Sequence, residues 1–264
     1  MNERVSIVVT GGVADVRMIR ADKMNALDEA MFAALAEAGE RLKSDRGIRA
    51  AVLSGEGRAF CAGIDTSRLQ HMAASGGSEG GLALRTHGLA NRFQYAAWVW
   101  REVPVPVIAA VHGVAFGGGL QIALGCDLRY VTPDARLSIM EIKWGLIPDM
   151  AGPQLMRRLV REDIARELTY TGRIVSGEEA ARIGLATRVV ENPREAALAA
   201  AREIAARSPD AIRAAKRLYN QVPYLGYAEG LALEAREQAA LVGSPNQGEA
   251  VAANLEKREP RFTD

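Results

Sequence analysis

Residues 106–127 read PVIAAVHGVAFGGGLQIALGCD, and the rest of the chain is organised around them. The run from Val107 to Val111 is apolar and too short for a helix of its own, which fits one buried strand. Gly113 and the triplet Gly117, Gly118 and Gly119 break the run, and Leu120, Ala123 and Leu124 resume with helical spacing. The pattern predicts strand, tight turn, helix. Glycines at a helix start have no Cβ to hold a ligand off and reach positive φ freely. Their amide N–H groups have no partner within the helix, and the helix dipole favours negative charge beside them. Two readings follow: a cradle for an oxygen that carries or develops charge, or a packing device that lets helix and strand approach closely.

The 264 residues suffice to bury a large core, as one large domain or two smaller ones. Lys and Arg number 33 against 32 Asp and Glu, so the formal net charge of +1 gives nucleic acid and anionic membranes no general attraction. The cluster Arg157, Arg158 and Arg161 reads as a solvated helix face, with a small anionic ligand as the other option. Cys61 and Cys126, the two cysteines, form no disulfide framework or metal-ligand pattern and read as small core residues in a reducing compartment. The opening MNERVSIVVTGG lacks a basic start followed by a long apolar stretch, which predicts cytoplasmic residence. Residues 107–124 are interrupted by His112, Gln121 and glycines, so they read as buried core and not as a membrane span.

In chain order, residues 5–9 and 13–19 alternate about Gly11-Gly12 and predict a hairpin. Asp28 caps an amphipathic helix with Met31, Leu35, Ala38 and Leu42 on its apolar side. A strand over 50–53 enters SGEGRAFCAGID, whose Gly55 and Gly57 miss the dinucleotide fingerprint because Phe60 stands at the third small position. There is no phosphate loop and no G-x-S-x-G elbow. His71, His87 and His112, the three histidines, give a serine triad little support. His71 and His87 read as solvent-facing, and His112 as a structural hydrogen-bonding residue. Residues 73–81, AASGGSEGG, predict a mobile loop. A helix is expected over 82–102, with Leu89, Phe93, Ala96, Ala97 and Trp100 inward, ended by Pro104 and Pro106.

Short strands are expected over 128–131 and 136–139, and beyond Pro153 only 186–190 looks extended. Ala-rich periodic helices follow over 195–207, 210–220, 228–241 and 247–256, with apolar faces suited to a partner subunit. The division is therefore a core over 1–184 and a mainly helical region over 185–264, as lobes of one unit.

Residues 60–64 form a second strand-to-loop crossing, so the amides of Ile64 and Gly118 together would make a two-donor site for an oxyanion. Glu141 and Asp149 are the candidates for proton chemistry. Apolar neighbours such as Met140, Trp144 and Leu146 would raise a carboxyl pKa toward neutrality by desolvation. The plain alternative is a pair of loop-capping carboxylates.

With AFCAGID at 59–65 followed about fifty residues later by AAVHGVAFGGGLQIALGCD, the chain strongly resembles the enoyl-CoA hydratase/isomerase family, the crotonase superfamily. The resemblance runs from DKMNALD at 22–28 to LEKREPRF at 255–262. It implies an α/β fold of repeated ββα units stacked into a spiral, with a C-terminal helical region that builds homotrimers or hexamers made of two trimers. It implies an acyl-CoA thioester whose carbonyl lies between the amides of Ile64 and Gly118. It further places Lys23, Met24, Ala62, Asp65, Gly117 and Lys257 along the substrate and its CoA, with Lys23 and Met24 at the adenosine end and Lys257 toward the phosphates. No separate cofactor and no metal are implied, since coenzyme A is part of the substrate.

The family's hydratases carry one glutamate two residues after the glycine triplet and another twenty residues further on. Here these positions hold Gln121 and Glu141. A glutamine neither holds nor gives a proton, although it can orient a water. Asp149, eight residues after Glu141, matches the acid of similar dienoyl-CoA isomerases. The expected catalytic set is Glu141, Asp149 and Gln121, and the expected reaction is double-bond isomerisation ahead of hydration. A catalytically silent acyl-CoA binding subunit is the reading from another class.

Overall fold

The computed structural model describes residues 4–74 and 82–264. Strands β1 (Val5–Thr10) and β2 (Val13–Met18) form the expected antiparallel hairpin. Helix α1 (Glu29–Ser44) begins at Asp28, whose carboxylate accepts from the Met31 amide at 2.8 Å, and it buries Met31, Leu35, Ala38 and Leu42. Then come β3 (Ala50–Gly55), α2 (Thr66–Ala74), α3 (Arg92–Glu102), β4 (Val107–Val111), β5 (Val114–Phe116), α4 (Gly118–Gly125), β6 (Leu128–Val131) and β7 (Arg136–Ser138). The remainder is α5 (Gly152–Met156), α6 (Glu162–Thr171), β8 (Val175–Ser176), α7 (Gly177–Arg182), β9 (Arg188–Val189), α8 (Pro193–Ala205), α9 (Pro209–Gln221), α10 (Tyr227–Leu241) and α11 (Pro245–Glu256).

A large sheet runs in the order β1-β2-β3-β4-β6-β9, parallel beyond the first pair, and a smaller one in the order β5-β7-β8. The chain alternates between them, as β4 lies in the large sheet, β5 in the small one, and α4 follows. This is the expected spiral of ββα units. Every residue of β3 and β4 is buried, because both faces of the large sheet are covered. On one face α1, α3 and α4 supply Phe32, Leu35, Phe93, Trp100 and Ile122. On the other, α8 lays Ala197, Ala201 and Ala205 against Val52, Ile108 and Ala110, and these small side chains allow close packing.

Three differences from the sequence reading have physical causes. Helix α3 starts at Arg92 and not near 82, because Asn91 caps it through a reciprocal capping box with Gln94, and Leu89 is 81% exposed. β5 is an unforeseen strand of three residues, too short to show periodicity. The expected mobile loop begins within α2 at Ala73 and Ala74, and its residues 75–81 lie outside the described residues. Beyond residue 184, β9 pairs with β6, and α8 packs on the large sheet.

Lys216 of α9 is buried and donates from Nζ to the carbonyls of Trp100 and Val105 at 3.1 and 2.8 Å and to Asp127 Oδ2 at 2.7 Å. The same carboxylate oxygen accepts from the Val107 amide at 2.7 Å, so one ammonium fastens the C-terminal helices to the start of β4. Lys216→Met would leave the Trp100 and Val105 carbonyls without this donor in the interior and take the cation from Asp127, whose oxygen would keep only the Val107 amide. A loss of about 3 kcal/mol of unfolding free energy is expected in urea titrations at matched protein concentration.

Candidate active site

The two loop crossings foreseen in the sequence lie against each other. The Cys61 amide donates to the Val114 carbonyl at 3.0 Å, and the Phe116 amide donates back to Cys61 at 3.1 Å. Gly63 sits at φ +87°, and a Cβ there would be 2.5 Å from the Phe116 oxygen and 3.8 Å from the Gly118 nitrogen. A Cβ on Gly119 would meet the Cys61 oxygen at 2.5 Å. Glycine is therefore required for the approach, and the approach brings the Ile64 and Gly118 amides to one place. Among the described residues neither of these two N–H groups is claimed by a backbone acceptor. The packing reading of the glycine triplet therefore holds, and the same packing leaves these two N–H groups without a backbone acceptor among the described residues.

Ile64 and Gly118 open onto a cavity of about 600 Å³, which Ala62, Gly117, Glu141 and Asp149 also line. Its walls are otherwise largely apolar, including Phe32, Phe93, Phe116, Met140, Trp144 and Met150. β7 delivers Glu141. The Gly117 amide donates to the Ser138 carbonyl at 2.9 Å, and a 3-10 turn over 140–144 follows at once. Gly117, at φ +51°, has no Cβ to crowd the carboxylate, since one would stand 3.1 Å from Glu141 Oε1.

Glu141 is buried, and this desolvation raises its pKa above the ordinary carboxyl value. Gln121 opposes the shift by donating to Oε1 at 2.6 Å, and the neighbouring Asp149 charge adds to it. Oε2 is buried with no hydrogen-bond partner. Asp149 opens onto the cavity, yet its apolar surroundings also raise its pKa, against the attraction of Arg68.

The remaining sequence candidates are placed differently. Gln121 lies behind Glu141 and touches it, and the cavity wall does not include it. Asp65 turns away to Arg20 at 2.7 Å and accepts from Ser67, contacts that hold its carboxyl below the usual range. The Met24 carbonyl accepts from the Ala62 amide at 2.9 Å, so the loop carrying Lys23 and Met24 borders the first crossing. Lys23 and Lys257 are exposed outside the cavity. His112 makes the expected structural hydrogen bond, to the Gly57 carbonyl at 2.9 Å. Burial pushes the Cys61 thiol up to about 12, which leaves it without thiolate chemistry.

Two contributors escaped the sequence reading. Arg68 of α2 lines the cavity, pairs with Glu29 and stacks 4.7 Å from the Phe93 ring centre. Asn25, fully buried, donates to the carbonyls of Glu56, Ala59 and Phe60 at 3.0, 2.9 and 3.1 Å and so shapes the first crossing. Only the DKMNALD resemblance pointed near Asn25, and nothing in the periodicity of 66–74 marked α2.

A family model described as enoyl-CoA hydratase/isomerase matches residues 9–264. The chain is 33% identical over 258 residues to mitochondrial methylglutaconyl-CoA hydratase of Mus musculus, covering 95% of this chain and 79% of that protein. It is 35% identical to mitochondrial enoyl-CoA hydratase domain-containing protein 2 of Bos taurus, covering 95% and 84%. The crystal structure of an enoyl-CoA hydratase from Polaromonas sp. JS666 superposes with a TM-score of 0.88 at 29% identity, covering 98% of this chain and 99% of that one.

The raised carboxyl at Glu141 has a consequence for stability. Its contribution is most favourable below the unfolded value near 4.5 and is lost as pH rises through the higher folded value. Glu141→Gln keeps an acceptor for Gln121 and removes this loss. Thermal melts are expected to show the variant more stable than the wild type at pH 8, with the difference vanishing at pH 4.

Proposed function

Because the chain belongs to the enoyl-CoA hydratase/isomerase family, we propose that it isomerises an enoyl-CoA by moving a proton between C2 and C4, with CoA bound as part of the substrate. The observation that carries this reading is that Glu141 and Asp149 line the cavity beside the Ile64 and Gly118 amides, while Gln121 is committed to protein partners.

In a 3-enoyl thioester, Glu141 takes the C2 proton. The C–H electrons pass into the carbonyl, and the oxygen becomes a dienolate oxyanion that accepts from Ile64 and Gly118. Collapse of the dienolate moves the double bond to C2–C3 as C4 takes a proton from Glu141 or Asp149. One proton leaves C2 and one arrives at C4, so the thioester is rearranged without redox change. Two preorganised amide donors matter because they stabilise charge that exists only along the path, and one such donor is worth roughly 3 kcal/mol. The raised pKa of Glu141 suits it to proton transfer near neutrality.

The names of the relatives favour a second reading, hydration of a 2-enoyl-CoA. Glu141 would then deprotonate a water that attacks C3, and C2 would be reprotonated from Glu141 or Asp149. A panel of 2-enoyl-, 3-enoyl- and 3,5-dienoyl-CoA separates the two. Faster turnover of 3-enoyl- than of 2-enoyl-CoA is expected, and the reverse order supports hydration. Glu141→Gln is expected to lower turnover and C2 exchange in heavy water by roughly 10²- to 10⁴-fold. Binding of acyl-CoA with no C2 exchange in the wild type would instead mark a silent binding subunit.

Gly63→Ala tests the oxyanion site separately, since its Cβ would force the two crossings apart. A loss on the order of 10²-fold in kcat is expected, with the fold intact by circular dichroism.

The assembly we infer is a homotrimer or a pair of trimers. Tyr219, Tyr227, Leu231 and Leu255 on α9, α10 and α11 are 76%, 96%, 64% and 80% exposed, a large apolar surface for a lone subunit. Light scattering should return three or six times the 28.3 kDa chain mass.

A further inference from the structure

We propose that Gln121 is the positioning residue that commits Glu141 to proton transfer through a single oxygen, Oε2, and couples its placement to that of Asp149. The inference rests on Glu141 being the proton carrier. Its foundation is the unambiguous orientation of one buried amide. The Gln121 carbonyl oxygen accepts from the backbone amides of Met150 and Gly152, both at 2.8 Å. Reversing the side chain would set its NH2 against two N–H donors, so the NH2 must face Glu141 Oε1, at 2.6 Å. Oε1 is then an acceptor in either protonation state of Glu141. Any proton that Glu141 carries sits on Oε2, the oxygen without a hydrogen-bond partner among the described residues.

The same carbonyl holds the segment that carries Asp149. Ala151 lies between its two donors at φ +67°, a left-handed conformation uncommon outside glycine and held here by both hydrogen bonds. A Cβ on Gly152 would come within 2.6 Å of the Gln121 oxygen, so the approach depends on glycine there as well. One amide thus sets both carboxylates. A glutamate at 121 would keep one oxygen on the two N–H donors and press the other against Glu141, where the pair would share a proton.

The charged groups facing Glu141 are Asp149 and, beyond it, Arg68, which acts on Asp149. Gln121→Leu adds no charge, so a shift of the acid limb in that variant reports on the lost amide, both through its hydrogen bond to Glu141 and through its hold on the Asp149 segment. In Gln121→Glu the added carboxylate contributes to the shift as well. The readout is C2 hydrogen exchange of butyryl-CoA in heavy water and turnover of 3-hexenoyl-CoA across pH.

For Gln121→Leu, a fall in kcat of about 100-fold is expected, with KM within threefold and the acid limb displaced to higher pH, because the donor that favours the charged form is gone. For Gln121→Glu, which preserves shape should the leucine variant fail to fold, the limb also moves up and hydration of 2-hexenoyl-CoA is not gained. An unmoved limb in the folded variant overturns the proposal, as does a large gain of hydration in Gln121→Glu. If Glu141→Gln retains full exchange, the underlying reading of Glu141 fails instead, whatever the position 121 variants do.

Discussion

The contact on which the rest depends is backbone against backbone. Where residues 60–64 cross residues 114–118, the carbonyl of Phe116 occupies the place that a Gly63 side chain would take. Backbone hydrogen bonds from Cys61 to Val114 and from Phe116 to Cys61 span this gap. The two sheets are built to hold that contact: β3 and β4 run parallel in the large one, and their continuations meet at its edge. A polar concavity with two unclaimed N–H groups is then unavoidable. N–H groups of this kind suit an oxygen that carries or gains negative charge.

Around this constraint the cavity is kept apolar, and the energetic cost falls on the two carboxyls that line it. Burial of Glu141 is compensated in part, by its own backbone N–H and by Gln121 at Oε1. An acid satisfied on one oxygen and bare on the other is uncomfortable when charged and ready to accept a proton. Asp149 shares the discomfort through its own desolvation, and its charge in turn raises the Glu141 carboxyl further. Family membership leaves the choice between isomerisation and hydration to such local details, because one scaffold hosts several chemistries.

Much of this was legible in the sequence. The Val107–Val111 run, the glycine triplet and the 59–65 loop marked both crossings, and their order carried the family resemblance. Helix α1 was readable because its cap and its spacing agree, and α8 to α11 were readable from their Ala-rich spacing. What stayed hidden has a common cause, namely contacts set by tertiary position. Strand β5 has three residues, and Leu89 fell on a helical spacing that Asn91 interrupts with a cap. Arg68 enters the cavity only because α2 is placed over Phe32 and Phe93. That Gln121 points at Glu141, with its oxygen spent on Met150 and Gly152, follows from the turn at Ala151, which no periodicity encodes.

The placement of α8 bears on how the protein comes to be made. Ile108 and Ala110 sit in the middle of the large sheet, yet the alanines that cover them belong to residues 197–205. During synthesis, strands β1 to β6 emerge long before that cover exists, and the outer neighbour of β6 in the sheet is β9, at residues 188–189. For that interval the nascent chain carries a nearly complete parallel sheet with one naked apolar face and an open edge, the kind of surface that invites self-association. Such a chain is expected to fold late and to rely on chaperones while it waits, and truncations that remove α8 should be recovered from the insoluble fraction.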